Sequence, residues 1–202
     1  AVLFLNNSWD WSGGYSMYLK WAGYGEPPVP EIDGWPAYME YVKKFQQSDS
    51  AKVLFRKHVD FIVQRTNRYN QLRYVDDPTI MAWQIGNEPR AFSEKNKNTF
   101  LYWMSDVAAQ IKLLDPNHMV SSGSEGLQGC EKDIALFEKI HADSNIDYLN
   151  IHIWPYNWGW VKADSLKELL LEAKNKTKAY IDKHIAVAEK YAKPIVLEEF
   201  GY

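Results

Sequence analysis

The 202 residues amount to about one ordinary domain, and with 46% hydrophobic and 24% charged residues the chain can bury a core and is not a disordered segment. Its 23 Lys and Arg against 26 Asp and Glu leave a formal net charge of -3, poor material for a general phosphate-backbone binder. A lone cysteine, Cys130, excludes an internal disulfide framework and a Cys-based zinc cluster, and no apolar run approaches the roughly 18 residues that cross a bilayer.

In chain order, Val2-Leu3-Phe4-Leu5 reads as a short buried strand. Pro36 fits the first turn of a helix running through Tyr41 and Phe45. Residues 50–70 place Val53, Leu54, His58, Phe61, Ile62 and Arg65 at a helical period, with Ser48 or Asp49 as the cap. A second strand follows at Ile80–Ile85. Then comes a helix marked by Phe100, Trp103, Met104, Val107, Ile111 and Leu114 and closed by Pro116. His118–Ser122 is a third strand, 131–141 a short helix, and Tyr148–Ile153 a fourth strand. Leu166–Tyr191 is the longest helical stretch, expected as two pieces starting at Asp164 or Ser165, and Ile195–Phe200 is the last strand. The apolar runs are nearly continuous, as in parallel strands covered on both faces.

Alternation of this kind predicts an α/β fold, either an open doubly wound sheet or a (β/α)8 barrel. A nucleotide-binding open sheet carries a Gly-rich fingerprint after its first strand, and Gly13-Gly14 does not continue into one. Barrel enzymes place their chemistry at the C-terminal ends of strands. The polar residues gather there: Asn6 and Asn7, Asn87 and Glu88, Ser124 and Glu125, His152 and Trp154, Glu199. A whole barrel takes about 250 residues and eight strands. The expectation is therefore an incomplete barrel, residues 1–202 forming one partial catalytic domain that covers roughly strands three to seven.

Aromatic content narrows the ligand class. The chain holds 9 Trp, 13 Tyr and 8 Phe, many in loops rich in Gly, Asn and Pro, where they keep no helix or strand period. Flat rings on such loops suit the broad faces and polar rims of a pyranose sugar; packing of a long loop onto the body accounts for about half of them.

Two segments carry chemistry. Trp83-Gln84-Ile85-Gly86-Asn87-Glu88-Pro89-Arg90 runs from a strand into a polar turn, so Glu88 leaves a strand end into an aromatic cleft, where poor solvation favours the protonated form a general acid needs. Lys193–Gly201 ends in Glu198-Glu199-Phe200-Gly201, and because side chains alternate along a strand, one of the two glutamates is expected to face the barrel and the other outward. Two carboxylates from separate strand ends are the apparatus of glycoside hydrolysis.

Asn87-Glu88-Pro89 and Glu199-Phe200-Gly201 resemble the two signature strand ends of the retaining clan A glycoside hydrolases. With Asn6-Asn7, Gly13-Gly14, Tyr18-Leu19-Lys20-Trp21, Asp77-Pro78-Thr79-Ile80, Glu125-Gly126 and His152-Ile153-Trp154-Pro155 in family order, the chain resembles the endo-β-1,4-mannanases of glycoside hydrolase family 5 along essentially its whole length. The resemblance implies Glu88 as acid/base, Glu199 as nucleophile, Glu198 facing outward, Asn87 holding the 2-hydroxyl of the cleaved sugar, and His152 lining the site. It further implies Arg90 and Glu125 as sugar contacts on the leaving-group side, the alternative being that they pair with each other or with neighbours, Trp9 as a sugar platform, and Trp158 and Trp160 as the opposite wall. Many members carry Tyr two residues after the histidine, its hydroxyl bonding the nucleophile; here Trp154 stands there, and an indole donates but does not accept, so the same orienting role does not carry over automatically. The implied activity is endo-cleavage of β-1,4-mannosidic bonds with retention. An endo-β-1,4-glucanase, an exo-β-mannosidase and a carbohydrate-binding barrel without catalysis are the alternatives.

No cofactor or metal is expected. His58, His118, His141 and His184 show no metal-ligand spacing, and Cys130 has no partner histidine. The expected partner is a β-mannan or related polysaccharide or oligosaccharide, with no nucleic acid and no membrane span, and the protein is expected to be a monomer. Polymer degradation places such a protein outside the cell or at its envelope. Asn6-Asn7-Ser8 and Asn175-Lys176-Thr177 match the weak glycan-acceptor pattern.

Overall fold

The five apolar runs form five strands, β1 (Val2–Phe4), β2 (Ala82–Gln84), β3 (Met119–Ser121), β4 (Leu149–Ile153) and β5 (Ile195–Phe200), in a computed structural model that describes residues 1–201. β1, β2 and β3 pair in parallel in that order, β4 and β5 pair in parallel, and a parallel bridge between Ser121 and Tyr148 joins the two groups. Spatial order thus equals chain order throughout. A doubly wound sheet reverses direction at its switch point; the wall of a (β/α)8 barrel never does. The chain is an incomplete (β/α)8 barrel. Its outer strands show it, since Phe4 on β1 and Val196, Leu197 and Phe200 on β5 are exposed where a closed barrel would bury them.

The crossovers carry α1 (Gly14–Leu19, continued by a π turn over Lys20–Tyr24), α2 (Pro30–Asp33), α3 (Trp35–Val42, tightening into a 3-10 turn over Lys43–Gln47), α4 (Asp49–Val63), α5 (Lys97–Leu114), α6 (Ile134–His141) and α7 (Leu166–Tyr191). Ser48 is the cap of α4, its Oγ accepting from Ala51 N at 3.2 Å, and Asp133 caps α6 by accepting from Ala135 and Leu136. α4 stops at Val63 rather than near residue 70, because Asn67 and Asn70 accept from the backbone N–H groups two residues on and fold the chain into a turn closed by a Thr66–Arg73 bridge. α7 is one helix of 26 residues instead of two pieces, with neither Gly nor Pro between its ends. α1 was not anticipated; its Gly13-Gly14 start reads as loop.

One hydrophobic cluster extends from Leu5 to Ala188. Tyr15 stacks flat on Phe45 at 4.2 Å, and Trp103 meets both rings edge-on at 5.7 and 5.4 Å. These rings pack the helices onto the barrel wall and are closed to ligand. Asn6 is buried as well, so no glycan can be attached there. Among the described residues no helix is long and apolar enough to cross a membrane.

Candidate active site

β2 is wholly buried, and the Trp83 indole donates to the buried Asp115 carboxylate at 2.6 Å. At the C-terminal end of the strand, Asn87 N donates to Asn6 O at 2.8 Å on one side and Glu88 N donates to Gly123 O at 3.0 Å on the other. The close approach depends on Gly123, where a Cβ would overlap the Gly86 carbonyl and come within 2.7 Å of the Gln84 Cγ. Held on both sides, Glu88 adopts a left-handed φ of 47°, a conformation costly for a residue with a Cβ and sustained only by surrounding structure.

β5 brings the second acid. Its register to β4 shifts between Ile151 and His152: Ile151 pairs with Leu197, but His152 pairs with Glu199, leaving Glu198 without a partner. This is a β-bulge. It overturns the expectation that Glu198 faces outward, which followed from alternation once the family resemblance put Glu199 inside. Glu198 turns inward, where its Oε2 accepts from Gln84 Nε2 of β2 at 2.6 Å and lies 3.8 Å from His152 Nε2.

His152 is the hub. Its Nδ1 is 2.8 Å from Glu88 Oε1 and 3.2 Å from Glu199 Oε2, and one oxygen of each glutamate and one His152 nitrogen all fall within 4.8 Å of one another. Burial acts to depress the His152 imidazole, but the carboxylates of Glu198, Glu199 and Glu88 outweigh it and push its pKa up to about 11. The three carboxylates thus favour the imidazolium form of the ring. The hydrogen bond from this imidazolium, aided by its charge and by the Trp154 indole, outweighs burial and holds Glu199 below the usual carboxylate range. Trp154 Nε1 donates to Glu199 Oε2 at 3.3 Å. An ionised carboxylate needs only a donor, so the indole supplies the orienting contact that the missing tyrosine left in question. Gly201 makes room for it: a Cβ there would run into the Trp154 ring, 3.0 Å from Cε3.

Glu88 Oε2 accepts from the Trp9 indole at 2.6 Å, and the Arg90 guanidinium sits 4.9 Å over the centre of that ring. Arg90 also pairs with Glu125, which is 1% exposed. Arg90 and Glu125 pair with each other, and both line the cleft into which the site opens. Burial raises Glu125, against the pull of Arg90, to about 7.

These groups open into a cleft of about 1040 Å³ whose walls include Trp9, Asn87, Glu88, Arg90, Glu125, Trp154, Trp158 and Glu199, with His152 buried beneath. Sequence reasoning missed Trp35 and Met39 of α3 and Gln128, Lys132 and Asn157 of the loops, which line the same cleft. Trp35 sits edge-on to Trp9 at 5.5 Å and 6.0 Å from Trp11, making one aromatic wall, while Trp158 and Trp160 pack at 5.0 Å as another. Trp11 stands two residues after Trp9 in a loop rich in Asn and Gly, but α3 carries no signal that its first turn reaches the site.

The other histidines stay apart. His141 and His184 are buried and neutral, their pKa values depressed by burial to about 3 and about 4. His118 pairs with Asp115 at 2.7 Å, and Cys130 is a buried thiol.

Residues 1–202 match the family described as glycoside hydrolase family 5 β-mannosidase-like. Among curated relatives, the chain is 30% identical over 217 residues to the putative mannan endo-1,4-beta-mannosidase 5 of Oryza sativa subsp. japonica, covering 99% of this chain and 41% of that protein. It is 29% identical to mannan endo-1,4-beta-mannosidase 7 of Arabidopsis thaliana, covering 99% and 46%. A variant of the family 5 mannosidase from Rhizomucor miehei, solved in complex with mannosyl-fructose, superposes with a TM-score of 0.84 at 30% identity, covering all of this chain and 47% of that one. The endo-beta-1,4-mannanase from Thermotoga petrophila superposes with a TM-score of 0.77 at 27% identity, covering 99% and 42%. The chain spans less than half the length of each of these four relatives.

Proposed function

This chain belongs to glycoside hydrolase family 5, within its β-mannosidase-like group, and we propose that the whole protein cleaves β-1,4-mannosidic bonds in mannan-type polysaccharides with retention of configuration. The observation that carries this reading is the pair of carboxylates, Glu88 and Glu199, whose oxygens lie within 4.8 Å at the floor of an aromatic cleft. Retaining enzymes hold their two carboxyl groups about 5–5.5 Å apart, and inverting enzymes leave about 6.5–9.5 Å for a water.

In the first step Glu88 gives a proton to the glycosidic oxygen while Glu199, kept ionised by His152, attacks the anomeric carbon; the C–O bond to the leaving sugar breaks and an ester to Glu199 forms. In the second, Glu88 takes a proton from water, which attacks the same carbon and frees Glu199. One oxygen of Glu88 must leave Trp9 or His152 to carry that proton. Asn87 stands beside Glu88 for the 2-hydroxyl. Arg90, Trp9, Trp11 and Trp35 cluster on the Glu88 side, where the leaving sugar sits, and Trp158 and Trp160 supply a further wall.

Rings on both walls favour a polymer lying across the cleft, hence endo action. The family's β-mannosidase-like description and the mannosidase neighbour favour a second reading, exo release of mannose. A polymeric substrate places the protein outside the cell or at its envelope, working as a monomer without cofactor.

The test is hydrolysis by the whole protein of mannan and glucan oligosaccharides in parallel. Endo-mannanase action yields mixed mannooligosaccharides at the earliest times; mannose alone from the start supports the exo reading. Glu199→Gln should abolish turnover while leaving oligosaccharide binding intact, and unchanged turnover would refute its role.

A further inference from the structure

Strict alternation would put Glu198 outward with Glu199 inside, but the bulge sends it into the barrel, where it becomes a third acid at a site that already holds Glu88 and Glu199. Three carboxylates around one imidazole are mutually repulsive unless the ring carries charge. The surroundings of His152 are as follows. Glu88 faces it from the end of β2, Glu125 acts on it from the loop after β3, and Glu198 and Glu199 face it from β5. Tyr148, on the chain leading into β4, lies within the field of Glu198. Arg90 and Lys132 are the cations lining the cleft, and Arg90 is taken up by Glu125 and the Trp9 ring.

Each His152 nitrogen then has a distinct duty. Nδ1 serves both Glu88 and Glu199, and Nε2 points toward Glu198 at 3.8 Å, a distance for a charge pair rather than a hydrogen bond. Glu198 is itself fixed from across the barrel by Gln84, two strands beyond β4 in the wall, and its side chain is 20% exposed.

We propose that Glu198 is a positioning residue of this site, its inward carboxylate keeping His152 charged and oriented so that Nδ1 remains between Glu88 and Glu199. The role rests on the reading of Glu88 and Glu199 as the reacting pair. A neutral residue in its place preserves the shape and loses the function. Glutamine at the position can still accept from Gln84, so a purely structural role survives that substitution.

The experiment compares the whole protein with Glu198→Gln and Glu198→Asp, reading the protonation of the His152 imidazole against pH by nitrogen-15 NMR, together with kcat and KM. In Glu198→Gln the His152 midpoint should fall by at least about one pH unit, and kcat should fall with KM little changed. Glu198→Asp, which keeps the charge, should restore most of both. A His152 titration unmoved in Glu198→Gln, whatever happens to thermal stability, overturns the proposal. So does an equal shift in Glu198→Asp, since charge would then not be the cause. The NMR titration needs no turnover, so a protein that hydrolyses nothing would defeat the hydrolase reading while this measurement still decides the role of Glu198.

Discussion

Glu125 offers a stability measurement whose sign and size follow from burial. The residue is 1% exposed, and burial lifts its pKa from an ordinary 4.5 to about 7 even with Arg90 beside it. Between these values the unfolded chain has released its proton and the folded chain has kept it. Stability contributed by this group therefore falls as pH rises from about 4.5 to about 7. At about 1.4 kcal/mol per unit the fall is about 3 kcal/mol. Glu125→Gln removes the titration and leaves a neutral amide beside Arg90. His141 and His184, buried and neutral, titrate in the same window with the opposite sign, because the unfolded chain binds protons there that the folded chain refuses. Their contribution cancels in the difference between the two proteins. His152, raised to about 11, loses its stabilising effect only as pH climbs from about 6.5 to about 11, largely above the window. The assay is urea unfolding of the whole protein and the variant at half-unit steps from pH 4.5 to 7.5. The stability difference should drift by about 3 kcal/mol in favour of the variant as pH rises. A difference that stays constant across the window would refute the assignment of a buried, proton-holding Glu125.

Two further substitutions test the supports of the site. Gly201→Ala puts a methyl group into the Trp154 ring and should displace the indole N–H from Glu199, lowering kcat about tenfold or more with a smaller change in KM; a crystal structure with Trp154 unmoved would contradict it. Trp83→Phe leaves the fully buried Asp115 without its 2.6 Å donor and opens a gap beneath β2, so unfolding free energy should fall by about 2–4 kcal/mol, whereas a loss under about 0.5 kcal/mol would show that the His118 ring and the Asn117 and His118 backbone N–H groups satisfy the carboxylate without it.

Much of the scaffold was legible because its signals are local. Apolar runs such as Ile80–Ile85 and Tyr148–Ile153 report strands covered on both faces, and the helical period of Phe100–Leu114 reports α5. Their alternation fixed the α/β class, and Asn87-Glu88-Pro89 with Glu199-Phe200-Gly201 carried the family. Signals weaken where side chains compete with the backbone: the asparagines after Val63 cut α4 short of its apolar pattern, and Gly13-Gly14 opened a helix where glycine reads as loop.

What composition and motif determined was which residue types are available and on which strand ends they lie. What only the tertiary structure decided was how they face one another. An unpaired residue in β5 costs nothing visible in its sequence, yet it reverses the side Glu198 presents and brings three carboxylates onto His152. The left-handed turn at Glu88 is likewise imposed from outside, by bonds from the neighbouring strand ends. The physical reason is the same in both cases: register and backbone strain are set by pairing between segments far apart in the chain, and no window of sequence contains both partners.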